Sequence, residues 1–327
     1  RWRSPAGRCR ADKRTGQVRR PAFGPRRPSP AGPPARVFTF EPPPRKMFRP
    51  DEPHFVLTPA PVKARLLGLL GFDAVVEYPF TREFASLSAE AFVTEILDRL
   101  LGVGHVVTGF DFHFGKDRQG GPAYLMKSGE RHGFGVTLVD AFRDEGAHVI
   151  SSSRIRKLLG QGEMAEAAGL LGYRYTVESP IIGGQKLGRT LGFPTANMAL
   201  DIDIRLHHGI YAVRFRRADG TLYDGVASFG RRPTVTDNGA PLLETYVFDF
   251  SGDLYGAECA VSVFGLLRGE RPPEDRQRGF GRTCPDGVRA LPLDHGEMGR
   301  NAGGREADLM FQSPQPRDKR RSRHWLT

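Results

Sequence analysis

The residues best suited to bind or transfer a phosphate lie in one glycine-rich stretch, Gly183–Asn197. Its glycines allow backbone N–H groups to approach and cradle a phosphate, and Lys186 and Arg189 add positive charge. Thr195 and Asn197 place two side-chain oxygens on one face of an extended segment, and Mg²⁺ takes oxygen ligands beside nucleotide phosphates. The stretch lacks the G-K-[ST] of a Walker A loop. A phosphate-binding loop and a plain glycine-rich hairpin both fit this spacing.

A second candidate is Glu244, which stands between Leu243 and Thr245 in an otherwise apolar strand. A carboxylate at this position can accept a hydroxyl proton during phosphoryl transfer. The alternative is an outward-facing residue of a strand with one wet face, which gives the same alternation.

A predicted helix start is the third candidate. Ser152 and Ser153 begin a helical pattern that continues to Leu159, and free N–H groups at a helix start bind anions. Arg156 adds a positive charge one turn further on. The alternative is that Ser152 is a simple N-cap.

The elements that must position these residues form two series. Residues 37–172 alternate strand and helix signals, including a helix from Ser88 with apolar residues at helical spacing. This order favours a parallel α/β sheet, which binds ligands at the carboxyl ends of its strands. Residues 173–271 read as short strands joined by turns such as Asp219-Gly220, which predicts a small antiparallel barrel or sandwich. We expect the domain boundary near Gly172.

The positive charge of the chain belongs to its ends. The 327 residues suggest about two domains, and their net charge of +11 suggests a nucleic-acid partner. Residues 1–36, however, hold 11 basic residues and one acidic residue, whereas residues 37–268 hold 25 basic and 27 acidic residues. The termini, 1–36 and 272–327, are predicted to be disordered because they are poor in apolar residues. No segment of the sequence alternates aromatic with basic residues, which argues against nucleic acid as a partner.

Other classes of protein are excluded by composition. No uninterrupted apolar run approaches the ~20 residues that span a bilayer, so we expect no membrane partner. Three cysteines, at positions 9, 259 and 284, are too few and too far apart for a disulfide framework. They favour a reducing cytoplasm, in which we expect a monomer or weak oligomer.

Longer motifs resemble a known family. Four segments resemble motifs of the riboflavin kinase module: Gly188–Asn197, Gly209–Val213, Leu242–Glu244 and Phe248–Gly256. Two others resemble motifs of the nucleotidyltransferase module: Thr108–Gly115 and Ile150–Arg156. In this order the modules make up the bacterial bifunctional riboflavin kinase/FAD synthetase family, and the resemblance covers residues 36–271. It implies a Rossmann-like α/β nucleotidyltransferase domain, incomplete at its N-terminus, followed by a small antiparallel β-barrel riboflavin kinase domain.

The resemblance also implies roles in the kinase. The family enzyme transfers the γ-phosphoryl group of ATP to the terminal ribityl hydroxyl of riboflavin, which gives FMN. Thr195 and Asn197 would bind Mg²⁺ and nucleotide phosphate, and Glu244 would be the general base. The other implied nucleotide-binding residues are Gly184, Lys186, Gly188, Arg189, Gly192 and Arg268.

In the other module the resemblance implies transfer of an adenylyl group from ATP to FMN, which gives FAD. Asp111 and Phe112 match a segment that lines the flavin or nucleotide site. The residues implied to bind the ATP phosphates are Ser152, Ser153 and Arg156.

Three departures from the family affect the expected activity. The chain contains no His-x-Gly-His signature, and Pro43 follows Thr39-Phe40-Glu41-Pro42 where the family has a histidine. After Arg271 the prolines Pro272-Pro273 replace the start of a helical pattern. We therefore expect weak or absent adenylyl transfer. The alternatives are a catalytically dead flavin or nucleotide binder and a nucleic-acid binder that works through the basic termini.

Overall fold

The chain divides into two compact units, and each is described by itself. The first comprises Arg1–His54 and Thr58–Ile150, and the second comprises Phe55–Leu57 and Ser151–Thr327. The structure is a computed structural model that describes residues 17–19, 33–183, 195–231 and 240–269. Of the termini predicted to be disordered, residues 1–16, 20–32 and 272–327 lie outside the described residues.

The described part of the first unit contains five strands in two sheets. The order is β1-β3-β2 in one sheet and β4-β5 in the other. β2 and β3 pair in parallel, as do β4 and β5, whereas β1 pairs antiparallel with β3. The predicted parallel pairing is therefore confirmed, but the described strands form two separate sheets. The strands are β1 (Gln17–Arg19), β2 (Arg36–Glu41), β3 (Ala74–Pro79), β4 (His105–Gly109) and β5 (Gly135–Val139).

The helices of the first unit alternate with these strands. The helix predicted from Ser88 is present, and the Ser88 side chain caps it, since its Oγ accepts a hydrogen bond from the Ala91 N–H at 3.1 Å. The helices are α1 (Pro44–Phe48), α2 (Ala60–Leu69), α3 (Arg82–Ala85), α4 (Ala89–Ala91) with its more widely wound continuation Phe92–Leu100, a short turn of 3₁₀ helix at Lys116–Arg118, and α5 (Pro122–His132).

Both sheets of the first unit pack against one core. Phe38 of β2 and Val106 of β4 contact the same buried cluster, which includes Phe92 and Leu125. The opposite face of the β4-β5 sheet is exposed, and 65% of Val107 is accessible to solvent. Parallel sheets are usually covered on both faces, so this face departs from the arrangement that the sequence predicts.

Where the structure describes it, the second unit is an antiparallel sheet with two helices. The strand order is β6-β11-β8-β9-β10-β7. An isolated bridge between Ile182 and Asn197 brings the segment after β6 beside β7, so the sheet is nearly closed into a barrel. The elements are α6 (Ser152–Gln161), α7 (Met164–Leu171), β6 (Thr176–Pro180), β7 (Thr195–Ala199), β8 (Gly209–Arg216), β9 (Leu222–Arg231), β10 (Pro241–Val247) and β11 (Glu258–Gly269).

Alternation of side chains builds the barrel core. On β8 the inward residues Tyr211, Val213 and Phe215 are almost fully buried, which confirms the strand predicted there. The strand predicted over 242–250 ends earlier, at Val247. The chain turns after this residue, and Asp249 has a positive φ of 53° that does not continue a strand.

The sequence signals and the compact units divide the chain at different residues. The second unit begins at Ser151 and includes α6 and α7, of which α7 contacts β11. The boundary near Gly172 rests on the change of sequence pattern and stays a prediction. No described helix combines the length and hydrophobicity that crossing a bilayer requires. Cys259 is a buried free thiol.

Candidate active site

Three of the candidate kinase residues come together on the outer face of the barrel. Asn197 of β7 lies directly opposite Glu244 of β10, and Thr195 lies opposite Tyr246. Directly opposed residues of antiparallel strands project from the same side of the sheet. Thr195, Asn197 and Glu244 therefore share one face.

The alternation of β10 explains why Glu244 lies on that face. Leu243 and Thr245 are buried on the inner side, and Glu244 between them is half-buried on the outer side. An outward direction agrees with both interpretations of Glu244, as a base and as an ordinary residue on a wet face. Its register opposite Asn197 is the observation that favours the chemical interpretation.

Asn197 provides a test of whether these residues fit a cation. Only 5% of Asn197 is exposed, and its Oδ1 has no hydrogen-bond partner within the described part of the chain. Leaving a buried acceptor unsatisfied costs about 1–3 kcal/mol. A carbonyl oxygen is also a ligand that Mg²⁺ accepts. The donors of Thr195 and Asn197 thus fit the metal that the family resemblance implies.

The row of opposed residues continues across the sheet beyond Glu244. Ser228 of β9 lies opposite Glu244 on its other side, and Ile210 of β8 lies opposite Ser228. Arg268 of β11 is the register partner of Ile210. Arg268 thus stands at the far end of the row that begins at Asn197.

Sequence reasoning missed two residues beside the candidate base. Ser228 is half-buried next to Glu244, and Tyr246 is half-buried opposite Thr195. Neither has a sequence signal of its own, because their closeness depends on which strands pair. The alternation of β10 places Tyr246 on the Glu244 face once the strand is recognised.

Both ends of the glycine-rich loop lie beside Asn197. The Ile182 N–H donates a hydrogen bond to the Asn197 carbonyl at 2.8 Å, and Thr195 begins β7. The five loop residues proposed from the sequence, Gly184, Lys186, Gly188, Arg189 and Gly192, lie outside the described residues.

In the first unit the structure places Asp111 and Phe112 just after β4. They therefore follow the carboxyl end of a parallel strand, where ligands bind α/β sheets. The rings of Phe112 and Phe114 stack with centroids 5.5 Å apart. The Asp111 carbonyl hydrogen bonds with His113 Nδ1 at 2.8 Å, and Asp111 itself is exposed.

In the second unit Ser152 and Ser153 are the first residues of α6, as predicted. The interpretation of Ser152 as the N-cap is wrong. The cap is Ser151, whose Oγ accepts a hydrogen bond from the Arg154 N–H at 3.3 Å. Ser151 has the extended backbone that a cap requires, whereas Ser152 is already helical.

Arg156 is anchored to the main chain of its own unit. Its Nε donates a hydrogen bond to the Phe55 carbonyl at 2.6 Å, and this bond fixes the direction of the guanidinium group. The residues implied for adenylyl transfer are divided between the units, with Asp111 and Phe112 in the first and Arg156 in the second.

Two family models match the chain, and their order agrees with the two units. A FAD synthetase model matches residues 27–154, and a riboflavin kinase model matches residues 171–277. Among solved structures, one described as a macrolide-efflux protein from Streptococcus pneumoniae is 29% identical, with a TM-score of 0.62. That match covers 75% of this chain and 79% of the other.

Curated relatives agree with both models. The bifunctional riboflavin kinase/FMN adenylyltransferase of Listeria monocytogenes is 38% identical over 242 residues, which are 72% of this chain and 74% of that protein. The protein of the same description from Escherichia coli K12 is 36% identical over 238 residues, which are 73% of this chain and 75% of the relative. The chain therefore belongs to the bifunctional riboflavin kinase/FMN adenylyltransferase family.

Proposed function

We propose that the chain phosphorylates riboflavin with ATP to give FMN and ADP. The observation that carries this proposal is the register of β7 and β10, which places Asn197 opposite Glu244 within the segment that matches riboflavin kinase. Phosphoryl transfer depends mainly on positioning and on stabilising charge. A carboxylate beside the candidate metal ligands suits that task.

The proposed reaction needs one base. The terminal ribityl hydroxyl oxygen forms a bond to the γ-phosphorus as the bond from that phosphorus to the bridging oxygen of ADP breaks. Glu244 accepts the hydroxyl proton. Thr195 and Asn197 hold the Mg²⁺ ion, which when bound neutralises negative charge on the phosphate oxygens.

The remaining kinase residues are proposed to bind nucleotide. The glycine loop would cover the phosphates with its N–H groups. Arg268 would contribute a positive charge from the end of β11. The loop residues included in this proposal are Gly184, Lys186, Gly188, Arg189 and Gly192.

We further propose that adenylylation of FMN by this chain is weak. The proposed site includes Asp111, Phe112, Ser152, Ser153 and Arg156, but the chain has no His-x-Gly-His motif to stabilise the transferred group. The separation of the described strands of the first unit into two sheets supports this proposal. Ligands of α/β proteins bind where neighbouring strands of one sheet diverge.

Two other functions remain as alternatives to catalysis. A dead flavin or nucleotide binder would retain riboflavin or ATP without turnover. A nucleic-acid binder working through the basic termini would show a steep salt dependence that deletion of residues 1–36 abolishes. We propose small molecules as the partners, the cytoplasm as the location and a monomer or weak oligomer as the state.

The test is chromatography of riboflavin, FMN and FAD after incubation with Mg²⁺-ATP. Glu244→Gln should lower kcat for FMN formation by roughly 10²–10⁴-fold, because general-base catalysis contributes that much. Asn197→Ala should require a higher Mg²⁺ concentration. The matched control is Glu258→Gln, which alters an exposed carboxylate on β11 and should leave kcat unchanged. Full activity in Glu244→Gln would refute the assignment of the base, and bound flavin without turnover would favour the dead binder.

A further inference from the structure

Charged residues on the barrel form a nearly balanced set around β8. Three arginines at or just after the end of this strand each have a guanidinium nitrogen within 3.2 Å of a carboxylate oxygen. The pairs are Arg214 with Asp224 at 3.0 Å, Arg216 with Glu178 at 3.2 Å and Arg217 with Asp219 at 2.8 Å.

Arg174 is the exception beside this set. It follows α7 and precedes β6, and it makes no ion pair with a carboxylate of the described residues. Its guanidinium carbon lies 4.8 Å from the centroid of the Phe264 ring, and that of Arg214 lies 5.2 Å from the same centroid. Two cations therefore share one aromatic ring, and among the described residues the pair has a single carboxylate partner, that of Asp224.

Burial makes the excess of positive charge at Arg174 and Arg214 more costly. Arg174 is half-buried, and only 18% of the Arg214 side chain is exposed. Burial and, secondarily, repulsion from Arg214 lower the pKa of the Arg174 guanidinium. A cation–π contact attracts each guanidinium but does not neutralise its charge. An added anion would offset both the cost of desolvating Arg174 and the repulsion between the two cations.

Hydrogen bonds fix the backbone next to Arg174. The Thr176 hydroxyl donates to the Arg174 carbonyl at 2.9 Å and contacts the Ser262 hydroxyl at 2.8 Å. Ser262 is the register partner of both Thr176 and Arg214. The two guanidinium groups are thus carried by the segment just before β6 and by β8, the two strands that flank β11 in the sheet.

We propose that Arg174 and Arg214 form a binding site for a phosphate-type oxyanion. The guanidinium fork matches the oxygens of phosphate, and two guanidiniums against one ring favour a doubly charged ion. The site is separate from the Glu244 row. That row crosses β8 at Ile210, and Arg214 is four residues further along the strand, about 13 Å at ~3.3 Å per residue. The proposal therefore does not depend on kinase activity.

The test uses the full chain in titration calorimetry with inorganic phosphate and, separately, with AMP. We expect Arg174→Gln to weaken the binding by at least tenfold. The matched control is Arg217→Gln, because Arg217 is paired with Asp219 and lies over Phe250 rather than Phe264. It should leave the Kd within twofold of wild type. Arg174→Lys keeps the charge without the fork and should give intermediate binding.

The outcomes separate the two sources of phosphate. Tighter binding of AMP than of inorganic phosphate would identify a nucleotide phosphate, and equal binding would identify the free ion. Absence of binding to wild type overturns the proposal, as does equal binding to wild type and to folded Arg174→Gln. An equal loss in Arg217→Gln would also overturn it, since general surface charge would then account for the binding.

Discussion

At the scale of single residues, neighbours on β10 face different environments. Glu244 is half-buried on the outer face, and Thr245 is fully buried on the inner face among apolar side chains. The Thr245 hydroxyl has no hydrogen-bond partner within the described residues. Removing such a hydroxyl while keeping the shape of the side chain relieves a desolvation cost of about 1–3 kcal/mol.

Thr245→Val should therefore raise the free energy of unfolding by about 1 kcal/mol. The kcat for FMN formation should not change, because the altered atom lies on the face opposite to Glu244. Urea denaturation and the chromatographic assay measure the two quantities. The comparison variant is Thr245→Ala, which also removes a buried methyl group and should be less stable than Thr245→Val. A loss of stability in Thr245→Val would mean that the hydroxyl has a partner in solution.

The sequence identifies the candidate residues more readily than it identifies which residues lie next to them in the fold. Glu244 and Asn197 were found because a carboxylate in an apolar strand and an amide after a glycine loop are unusual. That they lie opposite each other could not be deduced, since a shift of register by one residue would put Glu244 on the other face. The alternative interpretation of Ser152 as the cap of α6 missed the cap, Ser151, by one residue, because several serines follow one another.

At the scale of elements, β9 and β10 approach closely at one glycine. A Cβ atom on Gly225 would lie 2.5 Å from the Tyr246 carbonyl oxygen. Gly225→Ala should therefore push the strands apart and lower the free energy of unfolding by about 1–3 kcal/mol. Since Tyr246 follows Glu244 by two residues, we also expect a lower kcat. Urea denaturation and the FMN assay measure both effects.

The control for Gly225→Ala is Gly265→Ala on β11. Apart from its chain neighbours, no described residue has an atom within 4 Å of a Cβ atom placed there, so this variant should retain stability and activity. Equal behaviour of the two variants would show that the close approach of β9 and β10 does not limit the barrel.

In the first unit, α4 is joined to α5 by a carboxylate. The Tyr124 hydroxyl donates to Glu90 Oε2 at 2.6 Å, and Arg131 donates to the same oxygen at 3.2 Å. The bond from Tyr124, followed by the charge of Arg131, holds the pKa of Glu90 below its ordinary value of 4.5. Because this pKa is lower in the folded state, the carboxylate stabilises the fold above pH 4.5 and loses that contribution as pH falls through the lowered pKa.

Glu90→Gln should accordingly reduce the free energy of unfolding at pH 7, and the difference from wild type should disappear in acid. The measurement is urea denaturation at a series of pH values. Glu95→Gln changes an exposed carboxylate on the same helical segment and should show no such dependence. A difference for Glu90→Gln that persists in acid would mean that side-chain shape, not charge, joins the helices.

Some helices and strands could be predicted from the sequence, but not all of them, and not how fully each is covered. The alternation of large apolar residues, Tyr211, Val213 and Phe215, with small or charged ones predicted β8 correctly. α5 was not predicted, since its polar residues give a weak pattern and Gly129 interrupts it. The exposed face of the β4-β5 sheet was also not foreseen, because apolar residues such as Val107 ordinarily indicate burial.

At the scale of the whole molecule, the net charge of +11 says little about the family-matching part. Residues 37–268 have 25 basic and 27 acidic residues, and both family models lie mainly in that range. The basic charge that would attract a polyanion is concentrated in the termini. We therefore expect any positive group that binds nucleotide to be placed locally, as we propose for Arg268 at the end of the Glu244 row.

The structures of the two units lead us to expect different rates for the two reactions. The barrel brings Asn197 and Glu244 together within a nearly closed sheet, whereas the described strands of the first unit form two sheets. Loss of preorganised charge-stabilising groups typically costs about 10²–10³-fold in rate. With FMN and Mg²⁺-ATP as substrates, the full chain should thus form FAD at least ~10²-fold more slowly than it forms FMN from riboflavin. Chromatography of both reactions with one preparation makes each the control for the other, and comparable rates would contradict the prediction. Ser153→Ala should leave FMN formation unchanged, because the serine lies at the start of α6 and outside the β7-β10 row.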